Sequence, residues 1–309
     1  MGTIQKVSFK DTLKSVDTEE TLDIYFYRPV GYAWSLLFMR LGITPNPVTI
    51  AGIFIGVAGG VLFYFNDLKI NIIGMLLMVI ANSLDSADGQ LARMTNNKTR
   101  LGRILDGLCG NIWFIVIYCA LCLRLQNDGF RVWIWLLAVA ASVCHIQQAA
   151  MADYYRNIHL LFLKGKTGSE VDNYDTLTIE FNQLSWKRDF WRKIILMFYR
   201  NYTRQQEALS KNLQKFLKKV RSVYGDNLPE WLKTEFREKD KPLMKYTNIL
   251  TFNTRIIVLF ISLFLNKVWI YFVFELTVLN ALLVYMIYCQ EQISRYFYNK
   301  IETGQREEK

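Results

Sequence analysis

The stretch Leu84–Asn111, LDSADGQLARMTNNKTRLGRILDGLCGN, sets three aspartates, Asp85, Asp88 and Asp106, at the edges of two strongly apolar segments. Asp85 and Asp88 are three residues apart, so on a helix they share a face. Gly89, Ala92 and Arg93 follow on the same helix, and small residues there let a bulky group approach the backbone. Gly102 and Asp106 are four apart and share a face of the next helix. The polar turn MTNNKTR joins the two as a helical hairpin, which brings the three carboxylates towards one point near a membrane surface. One helical turn after Asp106 stands Gly110, and the acidic rhythm stops.

The chain of 309 residues is 52% hydrophobic and 15% aromatic and carries a formal charge of +10. A nucleic-acid binder would spread its basic residues as a stripe on a polar fold. Here they cluster between apolar runs, the pattern of a multi-span membrane protein, and no nucleic-acid partner is expected. The start, MGTIQKVSFKDTLKSVDTEETLD, is polar and acidic, without the apolar core of a secretory signal, so the first span is expected to act as its own insertion signal. Residue six is Lys where Ser or Thr is needed, so a myristoylation pattern fails.

The fold expected is all-α: a polytopic membrane protein with six transmembrane helices, an N-terminal interfacial helix and a cytoplasmic helical insert. The spans read as Val48–Phe65, Ile70–Arg93, Leu101–Leu125, Val132–Tyr154, Ile249–Leu265 and Val268–Cys289. Each is near the ~20 residues that cross ~30 Å of hydrocarbon. The organisation is then a polar segment 1–27, an interfacial helix 28–46, spans one to four in 47–155, an insert 156–246, spans five and six in 247–292 and a polar tail 293–309. Arg93, Lys98, Arg100 and Arg103 follow the second span, and the insert is rich in Lys and Arg. The positive-inside rule places both basic connections, both termini and the three aspartates on the cytoplasmic side, with a bacterial inner membrane the simplest home.

Before the first span, Tyr25–Leu41 has an early proline, Pro29, with Trp34, Leu37, Phe38 and Leu41 at helical spacing. It reads either as a helix lying in the interface or as an ordinary packed helix. In the insert, Trp186, Phe190, Ile194, Phe198, Tyr202, Leu209, Leu213, Phe216 and Val220 recur at helical spacing amid Lys and Arg, followed by Leu228, Trp231, Leu232 and Phe236. Such helices suit an anionic leaflet; they equally suit a hairpin packed on its own apolar face. Cys119-x-x-Cys122 matches a redox or metal spacing by letter, but all five cysteines fall in apolar runs and read as packing residues.

Three carboxylates converging in a partly dehydrated place repel one another unless something neutralises them. Pairing with Arg93 or Arg103 would do so and pin two helices. Hard divalent cations do it better, since oxygen ligands suit magnesium, manganese or calcium. With open positions and basic neighbours, such a site is a reasonable holder of a metal–diphosphate.

The spacing also resembles a known signature. Asp85-x-x-Asp88-Gly89-x-x-Ala92-Arg93, eight residues, then Gly102-x-x-x-Asp106 is similar to the motif of the CDP-alcohol phosphotransferase family. That motif continues with three residues and a last aspartate, where this chain has Gly110. TPNPVT at Thr44–Thr49 and the six-span plan are similar too. The resemblance implies Asp85, Asp88 and Asp106 as ligands of two divalent ions, magnesium or manganese. It implies Gly89, Ala92, Arg93 and Gly102 around the CDP moiety, with Asp106 also catalytic. It implies a membrane phosphotransferase that moves a phospho-alcohol from a CDP-alcohol, CDP-diacylglycerol favoured, to an alcohol or phospho-alcohol acceptor, with CMP release in phospholipid synthesis. Membrane lipids and a second copy of the chain, as a homodimer, are the implied partners.

In the family the last aspartate is thought to help hold the second metal and to take the acceptor's proton. Gly110 can do neither, and losing a general base typically costs ~10²–10⁴ in rate. Three readings follow. Another group replaces the base, with Asp153 the candidate, His145 a deeper one, or a phosphate ester on the acceptor relaying the proton. Alternatively, Gly110 makes room for a bulkier acceptor. Or catalysis is lost, and the chain is an impaired homologue binding CDP-lipid within a lipid-synthesis complex. Asn111 points about 100° away from Gly110 on a helix. Arg255, a few residues inside the fifth span, should face the bundle and find a partner; with Arg156 it is a candidate for binding an acceptor phosphate. A transporter using the carboxylates as ion ligands is a further class, and would need polar breaks in paired spans.

Overall fold

The computed structural model describes residues 15, 17–97, 100–165 and 171–304, with the side chains at 100, 101 and 103–108 outside the described set. Every described element is helical. A π-helical turn, Asp23–Tyr27, leads into α1 (Arg28–Arg40), α2 (Pro45–Leu62), α3 (Leu68–Met94), α4 (Arg100–Asn127) and α5 (Ile134–Lys164). Then come α6 (Tyr174–Gln183), α7 (Phe190–Leu209), α8 (Lys211–Tyr224), α9 (Glu230–Asp240), a 3₁₀ turn (Lys241–Leu243) and α10 (Met244–Ile249). The chain closes with α11 (Phe252–Phe264), α12 (Trp269–Leu276) and α13 (Val278–Glu302). Among the described residues, six stretches are long and apolar enough to cross a membrane: Pro45–Leu62, Leu68–Met94, Cys109–Asn127, Ile134–Lys164, Glu230–Phe264 and Trp269–Glu302. The last is interrupted at Thr277, between α12 and α13.

The chain divides into two compact units. The first comprises residues up to Ile146 together with Phe252–Val278. Its core joins Phe63 just after α2, Met75 and Met78 of α3, Trp113, Ile117 and Leu121 of α4, and Leu259 and Phe272 of α11 and α12. Small residues set how closely α2 meets its neighbours. A Cβ on Gly59 would lie 2.9 Å from the Gly74 carbonyl, and one on Gly74 would lie 2.8 Å from that of Gly59. Such a seam lets apolar helices pack backbone to backbone where water supplies no drive. Gly56 receives the indole of Trp113, which is 1% exposed and hydrogen-bonded through Nε1 to the Ile53 carbonyl at 3.3 Å. A Cβ at position 56 would overlap that ring. Gly56→Ala is therefore expected to destabilise by roughly 1–3 kcal/mol, read as a lower unfolding temperature in detergent. An unchanged midpoint would show that Trp113 is free to retreat.

α1 packs on α3. Trp34, Phe38 and Met39 lie against a small core of Val48, Leu84, Ala87 and Leu91. Ser35 Oγ lies 2.7 Å from the Gly31 carbonyl and 2.8 Å from that of Ala87. Gln90 Nε2 donates to the Arg28 carbonyl at 3.0 Å. The opposite side of α1 leaves Leu37 exposed, so one helix combines a packed face with an open apolar one.

The second unit comprises Gln147–Thr251 and Leu279–Lys309. It is built around stacked phenylalanines: Phe162 with Phe236 at 4.0 Å between centroids, Phe162 with Phe216 at 5.5 Å and Phe216 with Phe297 at 5.7 Å. His159 Nδ1 and Asp240 Oδ2 lie 2.8 Å apart, both fully buried. Glu291 accepts from the backbone N–H groups of Asn212 and Leu213, at 2.8 and 3.1 Å, and so caps the start of α8. The apolar faces of α8 (Leu213, Phe216, Val220) and α9 (Leu232, Phe236) are thus packed within this unit. α7 differs, leaving Trp191 and Phe198 largely exposed.

Candidate active site

The start of α2 positions the site. Thr44 is extended and Pro45 occupies the first turn, where its missing N–H costs nothing. One turn on, Thr49 is buried and its hydroxyl donates a short hydrogen bond to Asp88 Oδ2, while also lying 3.3 Å from the Pro45 carbonyl. Asp88 itself is 4% exposed. Its neighbour Asp85, one turn earlier on α3, is half-buried. The two carboxylates expected to share a face are therefore on one helix beside α2, one sunk and one accessible. A hydroxyl donated to a carboxylate fixes its orientation.

Gly89 and Ala92 are half-buried on the same stretch, and the guanidinium of Arg93 lies over Gly89: a Cβ there would be 3.5 Å from Nη1. Gly102 is half-buried on α4. The side chain of Asp106, expected as metal ligand and catalytic group, lies outside the described residues, as do those of Arg100 and Arg103. Gly110 is half-buried, and among the described residues a Cβ built on it meets nothing within 4 Å.

Asp85, Asp88 and Thr49 offer oxygen donors, which fit a hard divalent ion rather than a thiolate or imidazole metal. Asp85 and Asp88 would hold it, with Thr49 orienting the second. Among the described residues no group of three or more His, Cys, Asp or Glu side chains converges. Thr49 was visible in sequence as part of TPNPVT, but not as a partner of Asp88. Thr49→Val, which keeps the shape and removes the donor, is expected to weaken manganese binding by about 10–100-fold. Unchanged manganese binding in this variant would show that Asp88 needs no such support.

Arg255 does find a partner. It is 1% exposed on α11, and its Nη1 makes a short ion pair with Glu275 of α12, itself fully buried. Glu275 Oε1 is also 3.6 Å from His145 Nδ1, which in turn lies 3.1 Å from the Tyr118 hydroxyl. His145 is thus a member of a buried polar network within the first unit, packed against the Phe114 ring at 4.4 Å between centroids. Asn253, two residues before Arg255, donates through Nδ2 to Glu20 and Asp23, at 2.8 Å each.

The remaining candidates belong to the second unit. Asp153 is exposed and accepts from Asn157 Nδ2 at 3.2 Å. Arg156 is half-buried, and its Nη2 donates to Asn248 Oδ1 at 3.1 Å. The five cysteines form no disulfide; Cys119 is exposed and Cys122 is buried, with Cys122 Sγ 3.6 Å from the Ile134 carbonyl. Asn111 is half-buried on α4.

Residues 42–163 match the family model described as CDP-alcohol phosphatidyltransferase. An uncharacterized protein of Aquifex aeolicus (strain VF5) is 36% identical over 69 residues, which cover 22% of this chain and 34% of that protein. The match therefore spans about a third of that relative's length. No solved structure matches.

Proposed function

Because residues 42–163 match the model of the CDP-alcohol phosphatidyltransferase family, an enzyme family that typically uses a divalent metal, we propose that this chain transfers a phospho-alcohol from CDP-diacylglycerol to a hydroxyl acceptor. The observation that carries this reading is the pair Asp85 and Asp88, with Asp88 buried and oriented by Thr49. A carboxylate at such low exposure is costly in its charged form unless a cation neutralises it. Asp85 and Asp88 would hold one or two magnesium or manganese ions, completed by Asp106. When bound, such ions neutralise the diphosphate and the leaving phosphate.

The chain's own residues then divide the work. Gly89, Ala92 and Gly102 would lie around the cytidine and diphosphate, and Arg93, whose guanidinium lies over Gly89, would supply a charge for a phosphate oxygen. The acceptor oxygen attacks the phosphorus that bears the donated alcohol. The bond from that phosphorus to the bridging oxygen breaks, and CMP leaves with the bonding pair. The acceptor's hydroxyl proton passes to a carboxylate, for which Asp153 is our candidate. Arg156 is the candidate for an acceptor phosphate, together with Arg255 insofar as Glu275 leaves its charge available. The open space at Gly110 favours an acceptor larger than a small alcohol. The active site and both termini are proposed to face the cytoplasm of a bacterial inner membrane, and the working unit to be a homodimer.

If Asp153 is the base, Asp153→Asn lowers CMP release by roughly 10²–10⁴. Gly110→Asp should fold normally, since its Cβ enters open space, and should restore much of that loss in the double variant. Full activity in Asp153→Asn alone would move the base to the acceptor itself. An impaired homologue, the competing reading, predicts CDP binding without CMP release in every variant except those carrying Gly110→Asp.

A further inference from the structure

At the end of the first unit where α4 leads into α5, a groove of about 360 Å³ opens beside α12. It is walled by Trp133, Leu137, Trp269, Phe272 and Leu276, and Arg131 is the charged residue in its lining. The volume falls within the range of small-molecule sites. Trp133 immediately precedes α5 and Trp269 opens α12, and both are exposed, at 66% and 42%. Indoles at the start of apolar helices mark the headgroup level of a bilayer. From Trp269 the groove continues to Leu276, about 10 Å deeper at 1.5 Å per residue. A cation at headgroup depth above an apolar trough is complementary to one kind of molecule: an amphiphile with an anionic head and an alkyl tail.

We propose that this groove is a binding site for an anionic phospholipid, with one acyl chain lying along α12 and the phosphate on Arg131. Arg131 is exposed, so it reaches the headgroup without first breaking an internal contact. The site is a full span away from Asp88 along α3 and α4, and its occupant is a resident lipid rather than a substrate. It does not depend on the catalytic reading and stands or falls separately from it.

The full-length protein, purified in mild detergent, is mixed with phosphatidylglycerol or phosphatidylcholine and weighed by native mass spectrometry. The wild type is expected to retain phosphatidylglycerol at least threefold over phosphatidylcholine. Arg131→Ala should erase that preference while keeping residual binding of both. Leu137→Trp, which fills the trough, should remove both adducts. Equal retention of the two lipids by wild type and Arg131→Ala overturns the proposal, whatever Leu137→Trp does. A dimer that dissociates in Leu137→Trp, with lipid retention unchanged, also overturns it and gives the face to a second copy of the chain.

Discussion

Glu275→Leu is expected to lower stability by about 3–5 kcal/mol, because it strands the Arg255 guanidinium in the interior. The two side chains are 0% and 1% exposed, so neither charge has water to fall back on. At ~2–4 °C per kcal/mol for a chain of this size, the unfolding midpoint should fall by roughly 10 °C. The pair is expected to behave differently from either half of it. Replacing both groups with apolar residues, as in Arg255→Met with Glu275→Leu, removes both desolvation costs and should recover most of the loss. His145 and Tyr118 would then keep each other as partners at 3.1 Å. A double variant as unstable as the single one would mean that the network, not the ion pair, holds α11 to α12.

Asp88→Ala is expected to reduce CMP release to background. Metal-held charge stabilisation is worth several kcal/mol in the transition state, and each 1.36 kcal/mol is a factor of ten. The loss should therefore be roughly 10³-fold or more. Asp88→Asn separates two roles of this residue: it keeps an acceptor for the Thr49 hydroxyl and removes the charge. An asparagine variant that folds like the wild type and is as inactive as the alanine variant assigns the role to charge. An asparagine variant with near-normal activity would remove Asp88 from the metal site.

Much of this was legible in the sequence, for physical reasons. An apolar run near the length of the bilayer has few alternatives to a span, and six were recognisable. That Asp85 and Asp88 stand one turn apart on α3 was readable because helical periodicity fixes which residues share a face, while the side chain of Asp106 lies outside the described residues. Helix ends were less so. α5 runs on to Lys164 rather than stopping near Tyr154, because Tyr155, Ile158, His159 and Phe162 bury against the second unit's own core. The interruption at Thr277 left no Gly or Pro to announce it. Arg255 was expected to need a partner, and Glu275 was missed although it is a lone acid within WIYFVFEL. A solitary carboxylate in one span and a solitary guanidinium in the next are a pair to look for. Thr49 was missed because a hydroxyl carries no sequence mark of the carboxylate it serves. The insert's two readings divided by helix: α8 and α9 bury their apolar faces, while α7 keeps Trp191 and Phe198 outside.

The central claim is that three aspartates and an open position at Gly110 still make a phosphotransferase. Its most direct test is CMP release by the purified protein from CDP-diacylglycerol, with manganese or magnesium and a panel of hydroxyl and phospho-alcohol acceptors. The expected result is acceptor-dependent, metal-dependent CMP that disappears in Asp88→Ala. CDP bound by the wild type with no CMP released from any acceptor would contradict it, and would make Gly110 the mark of a site that binds without turning over.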